Sequence, residues 1–253
     1  MIAVEWSDDA IVLSVRPLGE SGAILEALTR SHGRHMGLVR GGASRRLRPL
    51  LQPGNTLRLS WRARLNEHLG SFTPELARAR AGELMDGRES LAGLNAFTAV
   101  SGAALPEREA HEAVFDAGQI LLDAMMEDGL EHWGPLYVRW EAGLLDALGF
   151  GLDLGRCAAT GATGDLAYVS PKSGRAVSEA AGALYRERLF PLPAFVLGTQ
   201  AVVAPADVAA GLRLTGYFLQ QRVLVPHGRD LPAARLRLDA LAQTADESNR
   251  KQV

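Results

Sequence analysis

Nine arginines and no aspartate or glutamate lie between Arg30 and Arg64, in a chain whose net charge is −2. A guanidinium is always charged and presents a planar fork of donors that matches a phosphate bidentately. Like charges this concentrated repel unless an anion meets them. The simplest such partner is a polyanion, and nucleic acid is the commonest. The sharpest cluster follows Gly41-Gly42-Ala43-Ser44, where Arg45, Arg46 and Arg48 predict a flexible loop that moulds itself to phosphates. Arg34 and Arg40 flank one expected strand; Arg58, Arg62 and Arg64 line the outer face of the next. Together these eight residues predict one track that binds the backbone without reading sequence and weakens steeply with salt. A solvated face, or a face docked on the acidic half of the chain, is the other use such residues have.

Other chemistry is poorly supplied. The segment GRHMGLVRGG has neither the GxxxxGK[ST] phosphate loop nor the GxGxxG fingerprint, which argues against nucleotide hydrolysis. His32, His35 and His68 could meet, but no HExxH or His/Cys pairing supports a metal, and Cys157 has no adjacent histidine. No catalytic role, cofactor or metal is expected. Trp61 and Phe72 could stack bases, although Trp61 shares the inward parity of Leu57 and Leu59, which assigns it to a core.

The elements that position the arginines are short and strand-like. Ala10–Val15, Met36–Arg40 and Leu57–Trp61 read as strands, Ala23–Thr29 as strand or helix, and Leu65–Phe72 as the last of the set. In Leu57–Trp61 a period of two sets leucine and tryptophan on one face and arginine on the other. Five short strands in some 75 residues suggest a small closed barrel, with an SH3-like barrel or an open sandwich as rivals. From Glu89 onward the period becomes helical: one helix to about Ala104, one from Pro106 to Gly129, one over Pro135–Leu148. Residues 151–178 are glycine-rich and irregular. Helical character returns at Ser178–Arg188, Pro205–Val223 and Pro232–Leu241, and the last dozen residues look frayed. In Leu212–Val225 the apolar surface exceeds one stripe. It either closes the helical core or leaves a peptide groove formed by Arg213, Leu214, Tyr217, Phe218 and Arg222, whose arginines would favour an acidic tail.

Composition bounds the rest. The 253 residues are 47% hydrophobic and 22% charged, enough for a normal core in one or two domains. Charge is unevenly spread: residues 1–80 carry +5, residues 81–150 carry −10 and residues 151–253 carry +3. A single cysteine excludes an internal disulfide framework and suits a reducing cytosol. The acidic N-terminus does not read as a signal peptide, and no apolar run reaches membrane-spanning length.

The run IVLSVRPLGESGAILEALTRSHGRHMGLVRGGASRRLRPLLQPG, Ile11 to Gly54, followed by WRARLNEHLGSF, resembles the N-terminal region of the bacterial RecO recombination and repair family. WEAGLLDALGFGLDLGRCAATG, LAYVSPKSGRAVS and the helix from Pro205 to Pro226 extend the resemblance over nearly the whole chain. It implies an α+β protein with a five-stranded OB-fold barrel over residues 1–80, packed on an all-helical domain over residues 81–253. It also implies a non-catalytic, cytoplasmic and nucleoid-associated protein without a membrane partner. Such a protein binds single- and double-stranded DNA, anneals complementary strands and works with RecR to load RecA onto DNA coated by SSB, whose acidic C-terminal tail docks on the helical domain. The family's basic region falls on Arg34, Arg40, Arg45, Arg46 and Arg48. Many members carry a four-cysteine zinc element. Here only Cys157 remains, with Thr160, Ser178 and Ala181 at the other positions, so a metal-free loop over 151–181, packed around Tyr168 and Val169, is expected. A barrel that binds nucleic acid, DNA or RNA, as a scaffold without annealing is the alternative function.

Overall fold

A computed structural model describes residues 4–127, 129–198 and 203–250, with side chains to residue 247. The chain divides into two compact units, Met1–Glu127 and Asp128–Val253.

The first unit opens with five strands: β1 Val4–Leu18, β2 Gly22–Thr29, β3 Gly33–Val39, β4 Thr56–Ala63 and β5 Ser71–Arg78. Alternation decides their faces. In β4 Leu57, Leu59, Trp61 and Ala63 are buried while Arg58 and Arg62 are exposed. The inner residues join Ala10, Val12, Leu25, Ala27, Val39 and Leu51 in one core, which bears out the assignment of Trp61. The last strand begins six residues later than expected. Gly70, at φ +63°, sits where a Cβ would strike the Trp61 ring at 2.4 Å, so the chain turns there and β5 starts after it.

The strands are joined into a ring in the order β1-β2-β3-β5-β4. Its closure is thin. β3 and β5 run parallel and share only Leu38↔Ser71 and Val39↔Phe72. Elsewhere along β3 a connecting segment takes the free edge: Glu107 bridges Arg34, and the Arg108 N–H donates to the Arg34 carbonyl at 2.8 Å. The expected OB-fold barrel, closed by five strands among themselves, is therefore corrected. Backbone groups on a free edge need partners, and a non-strand segment supplies them here.

Three helices complete this unit, α1 Ala81–Asp86, α2 Arg88–Ala104 and α3 Glu112–Glu127. Arg80, 2% exposed and just ahead of α1, ties α3 to the sheet. Its guanidinium donates to Asp123 Oδ1 at 2.5 Å and to Thr56 Oγ1 and Gln119 Oε1 at 2.6 Å each. Asn55 Oδ1 accepts the N–H groups of Arg80 and Ala81.

The second unit contains α4 Leu130–Ala147, β6 Leu166–Val169, β7 Ala176–Ser178, α5 Glu179–Gly182, β8 Phe190–Pro191, α6 Pro205–Phe218 and α7 Ala233–Arg250. The three strands form a sheet in the order β7-β6-β8, so the expectation of an all-helical domain is also corrected. The expected helix at Ser178–Arg188 is four α-helical residues followed by a 3-10 segment, Ala183–Arg188. The segment expected to fray is helical to Arg250; residues 251–253 lie outside the described chain.

Backbone hydrogen bonds hold the irregular loop: Cys157 N–H to Ala162 O at 2.7 Å, Ala158 N–H to Ala176 O at 2.8 Å and Ala176 N–H to Asp153 O at 2.9 Å. Val169 is buried beneath it. The residues at the four zinc positions do not fit the metal. One thiol, two hydroxyls and an alanine cannot make a tetrahedral thiolate site, and the Ser178 N–H already donates to Cys157 Sγ at 3.3 Å. Among the described residues no group of three or more His, Cys, Asp or Glu could hold a metal ion, and no helix is long and apolar enough to cross a membrane.

Candidate nucleic-acid interface

The turn between β3 and β4 carries Arg45, Arg46 and Arg48. It is more ordered than its glycines suggest. Leu51 is buried, and Leu47 and Leu50 pack against the core beneath the strands. Ser44 Oγ accepts the Leu47 N–H at 3.3 Å, and the Ser44 carbonyl accepts the Arg48 N–H at 3.0 Å. Asn55 Nδ2 donates to the carbonyls of Pro49 and Leu50 at 3.0 and 3.1 Å. The turn is thus pinned from inside by apolar side chains and from beneath by an amide. Its arginines project from a fixed base, which lowers the entropy lost when they grip a ligand.

Arg40, Arg46 and Arg62 line one open cleft of about 790 Å³, together with Ser44, Leu47, Phe72, Thr73 and Pro74. Arg40 follows β3, Arg46 rides the turn, and Arg62 projects from the outer face of β4. A ligand lying in this cleft meets guanidinium groups from three separate parts of the sequence. Arg48 lines a neighbouring hollow of about 470 Å³ with Gln52 and a mostly apolar floor that includes Val15, Ala23 and Leu51. Arg45 is exposed on the same turn and Arg64 is exposed just beyond β4. The structure shows that Phe72, 3% exposed, belongs mainly to the core while still forming part of the cleft wall.

Two members of the expected track are engaged elsewhere. Arg34, with a side chain only 11% exposed, binds Glu26 at 2.6 Å and donates Nε to the Leu105 carbonyl at 2.8 Å. Arg58 pairs with Asp9 at 3.1 Å, directly across the β1–β4 ladder. Sequence reasoning named Ser44 only as part of the loop leading into the arginines and did not single out Thr73 or Pro74. Their signal, polar or small residues beside arginines, is too common to stand out.

Of the residues expected to form a peptide groove, Tyr217, Phe218 and Arg222 come together, whereas Leu214 and Arg213 lie apart from them. Leu214 and Phe218 are buried in the core of the second unit. Arg222 lies over the Phe218 ring at 4.5 Å and donates to the carbonyls of Phe150 and Ser173 at 3.2 and 2.7 Å. Tyr217 is partly exposed against Phe190, with ring centroids 4.9 Å apart. Arg213 lines a separate hollow whose other charged residues are Asp207, Asp246 and Glu247, a setting that opposes an acidic guest.

Comparison with known proteins adds the lineage. The family model described as Recombination protein O N terminal matches residues 1–80, and that described as Recombination protein O C terminal matches residues 86–230. The chain is 53% identical over 238 residues to the DNA repair protein RecO of Rhodospirillum rubrum, covering 92% of this chain and 94% of the relative. It is 52% identical over 244 residues to the protein of that name from Cereibacter sphaeroides, covering 96% and 100%. With that of Caulobacter vibrioides it shares 51% over 243 residues, covering 96% of each.

Proposed function

Because the chain belongs to the RecO family of DNA repair proteins, whose members are recombination mediators rather than enzymes, we propose that its cleft arginines hold DNA backbones and promote the annealing of complementary strands. The observation that carries this reading is the convergence of Arg40, Arg46 and Arg62 on one open cleft beside an ordered arginine turn. Guanidinium groups neutralise the phosphates of single- or double-stranded DNA, releasing counterions and lowering the repulsion that slows two strands from meeting. Arg45, Arg48 and Arg64 extend the basic surface, while Arg34 and Arg58 are paired with Glu26 and Asp9 and do not line the cleft. The work is physical: no bond is made or broken.

The same reading takes the protein to be a cytoplasmic, nucleoid-associated partner of RecR that helps load RecA onto SSB-coated DNA. The acidic SSB tail would be received by the C-terminal unit, without assignment to the five residues expected from sequence.

The test is a titration of labelled single-stranded DNA with the wild type and an Arg46→Glu/Arg62→Glu variant at two salt concentrations, followed by an annealing assay. The variant is expected to bind weakly, with a plot of log affinity against log salt shallower by about 0.7 for each lost phosphate contact, and to lose annealing. Unchanged affinity and slope would remove DNA from this cleft. Binding that depends on these arginines without any acceleration of duplex formation would leave a scaffold, on DNA or RNA, and end the annealing claim.

A further inference from the structure

The thin closure of the ring gives one residue unusual leverage. Arg108 lies in the connection between α2 and α3, with φ at +62°, a left-handed conformation uncommon for a side-chain-bearing residue. Its backbone N–H donates to the Arg34 carbonyl of β3 at 2.8 Å. Its guanidinium reaches the other way and donates to three consecutive carbonyls of the β4–β5 loop: Asn66 at 2.5 Å, Glu67 at 3.3 Å and His68 at 2.9 Å. One residue thus spans from β3 to the loop that leads into β5.

The connection is held firmly against β3. A Cβ on Gly33 would lie 2.0 Å from the Glu109 carbonyl oxygen. Arg34 reinforces the seam through Leu105 O at 2.8 Å and Glu107 at 3.7 Å. The loop that Arg108 grips is anchored at its other end by the Trp61 Nε1–H, donated to Leu69 O at 3.0 Å. The next residues, Ser71 to Pro74, line the arginine cleft, as does Arg40 just past the end of β3. Beside them β3 and β5 share only two residue pairs.

We infer that Arg108 is a positioning residue for the DNA cleft: it fixes the β4–β5 loop against β3 and so sets the separation of Arg40 from Arg62 and β5. This rests on the reading of the cleft as a DNA site. Arg108 acts through backbone carbonyls, to which Nη1 and Nη2 both donate, and on this inference makes no phosphate contact of its own. Three carbonyls fanned around one planar fork suit arginine; a lysine offers a single ammonium centre that cannot span them.

Two variants test this, with thermal unfolding used to confirm folding. Arg108→Gly removes the side chain and suits the positive φ; Arg108→Lys keeps the charge and loses the fork. Both are expected to weaken single-stranded DNA binding by roughly 3- to 10-fold, the scale of a residue acting without touching the ligand, with the salt slope unchanged. Amide exchange at residues 65–70 is expected to accelerate in both. Affinity restored in Arg108→Lys, or a slope shallower by about 0.7 in Arg108→Gly, would make Arg108 a direct phosphate contact and overturn the inference. Unaltered affinity in both would overturn it as well. The Arg46→Glu/Arg62→Glu variant, run alongside, separates the two ideas: if it binds normally the cleft itself is misassigned, and if it alone fails only the role of Arg108 falls.

Discussion

Arg34 Nη1 and Glu26 Oε1 are 2.6 Å apart, diagonal neighbours on the outer face of the β2–β3 ladder, with side chains 11% and 18% exposed. Ser14 Oγ also donates to Glu26, at 2.8 Å. A charge this sheltered is costly to leave without its partner. Arg34→Met is expected to destabilise the protein by about 2–4 kcal/mol, a little below the roughly 3–5 kcal/mol for a fully buried pair because both side chains keep some exposure. Urea unfolding measures it. DNA binding of the folded fraction should keep its salt slope, because Arg34 faces Glu26 and Leu105 rather than the cleft. A shallower slope with unaltered stability would return Arg34 to the DNA track.

Arg58 and Asp9 form the contrasting case. Their side chains are 51% and 48% exposed, and pairs of that kind contribute about 0–1 kcal/mol. Arg58→Ala should therefore leave the urea midpoint nearly in place. Added salt should not change the difference between variant and wild type by much, since little Coulomb energy is there to screen.

In the second unit Arg235 and Glu141 are both fully buried and joined at 2.6 and 2.8 Å. Thr215 Oγ1 donates to the same carboxylate at 2.5 Å, and Arg235 also reaches Asp239 and the Leu212 carbonyl. Helices α4, α6 and α7 therefore meet at one guanidinium. Glu141→Leu is expected to cost about 3–5 kcal/mol, because Arg235 would stay buried and charged with only Asp239 left as an ionic partner. The double variant Arg235→Met/Glu141→Leu should recover much of that loss. Equal destabilisation by single and double variants would show that packing around the helices, not the orphaned charge, sets the cost.

How legible this was follows from which signals are local. The two-residue period in β4 reports its own burial, so Trp61 could be assigned to the core from Leu57 and Leu59. The arginine cluster was visible because charge density needs no fold to be counted. Which arginines are free was not visible. Arg34 and Arg58 are occupied by Glu26 and Asp9, partners 8 and 49 residues away, and only strand register brings them together. The same reason hid the thin seam. Nothing in the α2–α3 connection marks Glu107 as a bridge to β3, and the positive φ of Arg108 has no sequence signature. Leu214 and Phe218 looked like groove candidates because a helix buried on most sides writes the same apolar excess as one with an open face.

The Cys157 loop yields a metal prediction. Hydrogen bonding from Ser178, and secondarily from Thr160, lowers the Cys157 thiol to about 6. Backbone bonds hold the loop, and its side chains at the four positions cannot make a tetrahedral thiolate site. A chelator should therefore leave the thermal midpoint unchanged. Cys157→Ala should lower the thermal midpoint slightly through the lost Ser178 bond without changing DNA affinity. A chelator-induced drop in the midpoint would place a structural metal in this loop.

His35 gives the pH dependence. It is 2% exposed and packs its ring among Trp6, Trp61 and Phe72, with centroids 5.2, 5.0 and 5.8 Å away. Burial lowers its pKa below the usual 6.5; the Met36 carbonyl, which accepts from Nδ1 at 2.9 Å, and Glu107 oppose that shift, while Arg108 and His32 add to it. The unfolded chain therefore takes up this proton first as pH falls. Between the ordinary histidine value and the lower folded value the unfolded state holds more protons, so stability rises with pH across that window. The contribution is fully present above about 6.5 and is lost as pH falls through the folded pKa. Urea midpoints at pH 7.5 and pH 5.0 should show the wild type weaker at the acid end. In His35→Phe, which keeps an aromatic ring and removes the titration, that difference should shrink even if the lost Met36 bond lowers both midpoints. An identical pH difference in the variant would assign the acid sensitivity to other groups, and would mean that the ring cluster tolerates an imidazolium.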